Sequence, residues 1–305
     1  MGFADDFYYG QCKVVATSTA SADNGKAVTI TSSGGRTWSG TMAGGKCEFM
    51  LPPRDKYTVE LVNSGVTQFS TDIYCGYGEC KYVEVGMDPS TPLGIKAIVN
   101  AGLEANFFTA GDEIYVKEGA DSVKYRVLHV GYKTGTYGHN VILGRDVCLG
   151  STRQMQTSNT NAGGYGATLV ASYLDGTFYE GLGEDWQDVI SDYTFQASVG
   201  SQSTNLKSEQ HKVWLPLEYN IFGATSYAAG TEVTTGHAEQ FAYFATSANR
   251  VKTVNNAASY WWLASPYVGN PTAFCTVGAT GAAGYDGAAS ISDGVLPCFM
   301  IAADA

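Results

Sequence analysis

The chain has 305 residues, 44% of them hydrophobic and only 15% charged, with 37 glycines and 20 tyrosines. That is too much apolar material for a disordered chain, and the profile suits a β-rich, loop-rich protein better than a helical enzyme. Its 18 basic residues are outnumbered by 29 acidic ones, for a net charge of −11 without a basic stripe; this argues against duplex nucleic acid and anionic membrane surfaces, both of which are bound through clustered lysine and arginine.

No stretch approaches the roughly 20 apolar residues of a transmembrane helix. The opening Met1-Gly-Phe-Ala-Asp-Asp-Phe7 lacks the basic and apolar regions of a signal peptide, so export after removal of a signal, or assembly into a particle, is expected. Seven β-branched or aromatic runs follow at 13–18, 27–32, 36–42, 47–51, 57–62, 69–75 and 81–85, separated by Asn-Gly, Gly-Gly and Pro-Pro-Arg-Asp turns. In the fifth, Tyr57, Val59 and Leu61 share one face while Thr58 and Glu60 point away. The spacing predicts a β-sandwich over residues 1–90.

Cysteines stand at 12, 47, 75, 80, 148, 275 and 298. Their odd number and irregular spacing imply no dense disulfide framework. Cys75-Gly-Tyr-Gly-Glu-Cys80 could close a small loop or hold half a metal site; with no second pair nearby, strand-end thiols are the better reading.

Asp88-Pro-Ser-Thr-Pro92 marks a joint, and residues 91–305 read as a second domain. Ile95, Ile98, Val99, Leu103 and Phe107 fall on one helical stripe. Strands are expected at 114–117, 124–130 and 141–143. A helix is expected around 168–182, with Leu169, Tyr173 and Phe178 as core contacts despite Gly176, and a further turn at 186–190. The polar stretch 201–210 reads as a loop, and 238–246 as a short helix with Phe241 and Phe244 inward. This mixture predicts an α+β class.

Enzymatic constellations are scarce. His129, His139, His211 and His237 form no i, i+4 pair, and Gly-x-Ser-x-Gly, P-loop and dinucleotide fingerprints are absent. Asp286 and Asp293 are too few for calcium, which takes six to eight oxygen ligands. The sequence therefore predicts a non-enzymatic protein without metal or cofactor.

The last stretch organises the chain. Tyr260-Trp-Trp-Leu-Ala-Ser-Pro266 leads into 267–293, built almost wholly of small and polar residues, and Gly294-Val-Leu-Pro-Cys-Phe-Met-Ile301 closes it. Such a segment buries too little apolar area to order itself. It must be held by apolar pegs, namely Trp261, Trp262, Pro266, Phe274, Val277, Val295, Pro297, Phe299 and Ile301.

The order Tyr-Trp-Trp-Leu-x-Ser-Pro, then Phe274-Cys275-x-Val277, then Gly294-Val-x-Pro297-x-Phe-x-Ile301 resembles the C-terminus of bacterial and phage proteins with a C-type-lectin-like fold. Among these are the variable proteins of diversity-generating retroelements. Upstream, Val213-Trp-Leu-Pro-Leu-Glu-Tyr-Asn-Ile-Phe-Gly223 and residues 241–251 are similar to the same family, so the resemblance covers about the last two-thirds of the chain. Ala264 and Leu296 stand where relatives carry arginine, so the loop must be braced otherwise. The resemblance implies a C-type-lectin-like (formylglycine-generating-enzyme-like) domain over 91–305, with a variable region at about 260–301. In those systems adenine-directed mutation scatters AAY codons to many residues but never to Lys, Glu, Gln, Trp or Met, and 267–293 contains none of the five. Residues 25–30, 49–53 and 56–59 are similar to a carboxypeptidase-regulatory-like (prealbumin-like) module, which implies a spacer or docking role for the first domain.

The function implied is a binding protein of a phage tail, virion or cell surface that displays a diversified loop to a protein or glycan receptor and assembles through its first domain. The ligand-binding set is Tyr267, Asn270, Ala273, Thr276, Gly278, Thr280, Ala282, Gly284, Tyr285, Asp286, Ala289, Ser290 and Asp293, expected to be exposed, with Tyr267 and Tyr285 as anchors. Around Phe274 the expected alternation is Ala273 and Thr276 outward, Phe274 and Val277 inward. Two alternatives stand beside this: an invariant structural or adhesion domain, and a formylglycine-generating-type oxidase using Cys275 and Cys298. No basic surround marks either thiol as reactive.

Overall fold

A computed structural model of the chain describes residues 11–18, 23–63, 65–85, 87–234, 239–287 and 289–304. The leader 1–7, His237 and Ala238 lie outside these. The chain divides into two compact units, Met1–Phe107 with Asp304 and Phe108–Ala303 with Ala305.

The first unit contains seven strands, β1 (Cys12–Thr17), β2 (Ala27–Ser32), β3 (Thr37–Thr41), β4 (Lys46–Leu51), β5 (Asp55–Asn63), β6 (Val66–Cys75) and β7 (Cys80–Glu84). They form two sheets, ordered β4-β1-β7 and β3-β2-β5-β6. Alternation along each strand puts Val14, Phe49 and Leu51 from one sheet and Val28, Ile30, Tyr57, Val59 and Leu61 from the other into one core. Gly45 turns the chain at φ +74°, where an added Cβ would lie 2.6 Å from the Ser18 carbonyl oxygen; no side chain fits there.

Cys75 does not close a loop with Cys80. It is bonded to Cys12, joining the first strand to the end of the sixth at a Cα separation of 5.7 Å, while Cys80 is free and exposed. The partners are 63 residues apart, so spacing gave no sign of the bond. Replacing both by serine should cost the first unit about 2–4 kcal/mol, chiefly through the freed unfolded chain. Urea unfolding of wild type and variant measures this.

The Pro joint starts a helix as expected. Thr91 caps α1 (Pro92–Asn100), its Oγ1 accepting from the Gly94 N–H at 3.1 Å, with Pro92 in the first turn. Ile95, Ile98 and Val99 are buried, and α1 lies on β6 within the first unit. The stripe fails beyond Asn100, where the helix ends: Phe107, in a separate turn of helix α2 (Glu104–Phe107), is 39% exposed and Phe108 is buried instead.

The second unit has thirteen strands: β8 (Glu113–Glu118), β9 (Asp121–Val130), β10 (Asn140–Arg145), β11 (Arg153–Gln154), β12 (Tyr193–Ser198), β13 (Leu206–His211), β14 (Lys252–Val254), β15 (Ala257–Ser259), β16 (Trp261–Pro266), β17 (Phe274–Val277), β18 (Ala283–Asp286), β19 (Ser292–Asp293) and β20 (Cys298–Ala302). They pair as β20-β10-β9-β8, β16-β17-β18, β11-β19, β12-β13 and β14-β15. Trp214, Trp261, Trp262, Tyr125, Tyr165, Tyr193 and Phe274 are among its largest buried side chains.

The expected α+β class with a C-type-lectin-like second domain is overturned. Of the described residues 40% are strand and 19% helix, a β-rich fold of many small sheets. The expected helix at 168–182 does form, over residues 169–180, as an α-turn, Leu169–Tyr173, a π-turn, Leu174–Phe178, that contains Gly176, and two further α-helical residues. Leu169 is 45% exposed, not core, while Phe178 is buried. At 238–246 only a 3₁₀ turn forms, Ala242–Ala245, although Phe241 and Phe244 are buried as expected. The polar stretch read as a loop contains β13, paired with β12 from Tyr193↔His211 to Ser198↔Leu206. Its inward residues, Glu209 and His211, are polar, which hid the strand from a reading based on apolar alternation.

Candidate functional site

All nine apolar pegs expected of the C-terminal stretch are buried. The two tryptophans also satisfy their indoles: Trp261 Nε1–H donates to the Arg250 carbonyl at 3.0 Å and Trp262 Nε1–H to that of Arg153 at 2.7 Å. On this frame the expected binding residues separate into two groups. Thr280, Ala282 and Tyr285 are exposed, and Tyr267, Asn270, Gly284, Asp286 and Ser290 are half-buried. Ala273, Thr276, Gly278, Ala289 and Asp293 are buried, contrary to the expected display. The outward alternation of Ala273 and Thr276 presumed a strand with one face in water. Instead β17 is the middle strand of its sheet, its four residues all buried.

The exposed and half-buried part of the set includes an aromatic cluster. Tyr267 and Tyr285 stack with centroids 4.3 Å apart and planes at 30°, and Tyr227 meets them edge-on at 5.5 Å and 5.1 Å. Tyr285 is 44% exposed. Tyr227 escaped the sequence reading, because a lone tyrosine in a Thr-Ser-Tyr-Ala loop carries no periodic signal.

The bracing that arginine would supply comes from buried polar side chains. Asn161 is fully buried, and its Nδ2 amide donates to the carbonyls of Tyr267 (3.3 Å), Asn270 (3.0 Å) and Ala273 (2.7 Å), while Oδ1 accepts from the Ser201 N–H at 2.7 Å. This one side chain clamps the turn that carries Tyr267. Gly200 makes room for it: at φ +75° an added Cβ would lie 1.8 Å from the Asn161 carbonyl oxygen. The loop bearing Tyr227 is held by Glu218, whose carboxylate accepts from the N–H groups of Ser226 (3.1 Å), Tyr227 (3.0 Å) and Ala228 (2.7 Å). Ser265 Oγ–H donates to Glu232 at 2.7 Å, the Ser198 N–H donates to the same carboxylate at 3.0 Å, and Ser265 Oγ accepts from the Glu218 N–H at 3.1 Å.

These acids carry a pH dependence. Burial pushes Glu232 up to about 7 against its two hydrogen bonds, with nearby Glu218 adding to the rise. Burial, then the neighbouring Asp286 carboxyl, pushes Asp293 up to about 7. Burial also raises Glu218, opposed by its three N–H donors. A carboxyl raised on folding contributes stability that is complete below its unfolded value and lost as pH rises through its folded value. The second unit is therefore expected to gain stability as pH falls from about 7 to about 4.5, Glu232 contributing about 3 kcal/mol. His129, which burial lowers, opposes this in part. Thermal melts across that range should flatten in Glu232→Gln, and an unchanged slope would contradict the assignment.

The two thiols considered for oxidation lie apart in the fold, Cys275 on β17 and Cys298 on β20, in different sheets. Both are buried, and burial holds both far above the ordinary thiol range. Neither is poised as a thiolate. His211, read as a lone histidine, is buried between acids: burial opposes its charge, but the hydrogen bond with Asp175 (Nδ1 to Oδ2, 2.5 Å) and the Glu209 carboxylate 3.7 Å from Nε2 outweigh this and raise it to about 9. Among the described residues no group of three or more His, Cys, Asp or Glu could hold a metal ion, and no helix is long and apolar enough to cross a membrane.

The family Domain of unknown function (DUF6273) matches residues 137–303. The chain belongs to the DUF6273 family. The matched region holds the whole tyrosine cluster and its three braces, Asn161, Glu218 and Glu232. No curated protein matches the chain. Among solved structures, the Bacillus anthracis TIE protein is similar over 25% of this chain at 21% identity, with a TM-score of 0.22, and the chain spans only 16% of that protein's length. A fimbrial protein from Bacteroides ovatus is similar over 95% of this chain and 70% of its own at 8% identity, with a TM-score of 0.28.

Proposed function

We propose that this DUF6273 protein is a non-enzymatic ligand-binding protein that acts at a cell or particle surface, and that its recognition surface is the cluster of Tyr227, Tyr267 and Tyr285. The observation that carries this reading is the tyrosine stack itself. Buried Asn161 and Glu218 fix the turns that carry the half-buried Tyr267 and Tyr227, and both rings pack on exposed Tyr285, so the contact area is ordered before a ligand arrives. Binding then freezes few torsions, which is why tyrosine dominates recognition surfaces. The partner is a protein or glycan receptor, and exposed Thr280 and Ala282 flank the contact. Variation of this loop among copies would use the exposed positions and spare Ala273, Thr276, Gly278 and Ala289, which are part of the packing.

The test is binding of labelled protein to bacterial cells and to glycan and protein arrays. The double variant Tyr267→Ala/Tyr285→Ala is expected to weaken binding at least tenfold, since central tyrosines cost about 2 kcal/mol or more each when truncated, with the fold retained by circular dichroism. Equal binding by the double variant, or no binding on cells and arrays, would sink the proposal.

A further inference from the structure

Arg153 is placed as ligand-binding arginines are placed, and the tyrosine surface does not use it. It stands on β11 directly opposite Asp293 on β19. No ion pair joins the two: the Asp286 carboxyl lies beside Asp293, Asp293 Oδ2 is buried without a hydrogen-bond partner, and among the described residues no carboxylate pairs with Arg153. Its guanidinium lies over the Tyr173 ring at 3.3 Å, and its Nε–H is shielded from solvent without an acceptor. A buried arginine N–H without an acceptor is unusual, because buried N–H donors are nearly always paired. Stacking fixes the plane of the fork and leaves its terminal Nη groups, not the shielded Nε–H, to meet something outside the chain.

The surroundings complete a site. A cavity of about 260 Å³ is lined by Arg153 together with Thr152, Gln154, Ser292, Leu169 and Val170. The Gln154 amide is engaged with the Ser290 carbonyl and so fixes one wall. Thr152 and Ser292 bring hydroxyls, and Leu169 and Val170 bring an apolar wall, which explains why Leu169 is 45% exposed at the start of a helical turn.

We propose that Arg153 anchors a subsite for a single carboxylate carried on a ring or short chain. One planar guanidinium matches one planar carboxylate in a two-point contact. No second cation lines the cavity to balance a phosphate dianion, and the net charge of −11 repels polyanions. The hydroxyls and the apolar wall suit a sugar acid or a branched aliphatic acid. The subsite shares no residue with the tyrosine cluster, so it stands or falls separately.

Ligand-observed NMR titration of the full chain tests this with glucuronate, 2-methylbutyrate and the methyl ester of glucuronate. Binding of either acid but not of the ester is expected, and which acid binds distinguishes the sugar from the aliphatic source. Arg153→Lys, which keeps the charge and loses the planar fork, should weaken binding about tenfold, and Arg153→Ala should abolish it. Equal binding of acid and ester, an unchanged affinity in Arg153→Lys, or no response to either acid at tens of millimolar would each overturn the proposal. Should Arg153→Ala fail to fold by circular dichroism, the comparison of acid with ester on the wild-type chain still decides.

Discussion

Trp262→Ala is expected to destabilise the second unit by about 3–5 kcal/mol, the usual cost of emptying a large aromatic site in a core. The position has no slack. Trp262 is fully buried, pairs with Thr276 across β16 and β17, and its indole N–H satisfies the Arg153 carbonyl at 2.7 Å. Truncation leaves both a cavity and a buried carbonyl without its donor, and the second loss adds about 1 kcal/mol or more. A melting temperature lower by roughly 6–20 °C is the corresponding shift for a unit of this size. Trp262→Phe, which fills most of the volume but lacks the N–H, separates the two contributions. A loss under about 1 kcal/mol in Trp262→Ala would show that the C-terminal frame does not hold the loop.

Asn161→Asp is the second large expectation, and it bears on the binding surface as well as on stability. The substitution preserves size and Oδ1 but replaces an amide donor with a carboxylate oxygen facing the carbonyls of Tyr267, Asn270 and Ala273. A buried acceptor would then meet three acceptors. The cost should be about 3–5 kcal/mol, as for an uncompensated buried charge, unless the group takes up a proton. Asn161→Ala, which removes the donor without adding charge, should cost less, about 2–4 kcal/mol, from the carbonyls left unpaired. In both variants the turn bearing Tyr267 is released, so ligand binding should fall alongside that of the tyrosine variants. Full binding by a folded Asn161→Ala protein would show that the clamp does not order the surface. The disulfide experiment probes the first unit and is independent of this one.

The division between what was legible and what was not follows from the range of the interactions. Strands β1–β7 were readable within one to three residues at their ends because alternation and turn residues are local: Tyr57, Val59 and Leu61 point one way whatever lies opposite. The pegs of the last stretch were readable for the same reason, since Trp261, Trp262 and Phe299 have no stable place except a core. The inward faces of the helical turns were misjudged in part because an apolar residue every three or four positions also arises where short turns and strand ends pack on a sheet. Leu169 and Phe107 fitted a helical stripe and lie exposed.

Composition and local pattern determined that this chain is rich in β-strand and carries more acidic than basic residues, with no basic stripe. They also determined that it carries a loop which must be held from outside. Only the tertiary structure decided how that loop is held. Asn161 clamps Tyr267 across 106 residues of sequence, Cys12 meets Cys75 across 63, and β17 becomes a central strand that hides Thr276. The physical reason is that a buried polar atom takes whichever partner the fold brings within about 3 Å, and sequence separation enters only through a slowly growing closure entropy. No spacing rule can therefore announce such a contact in advance.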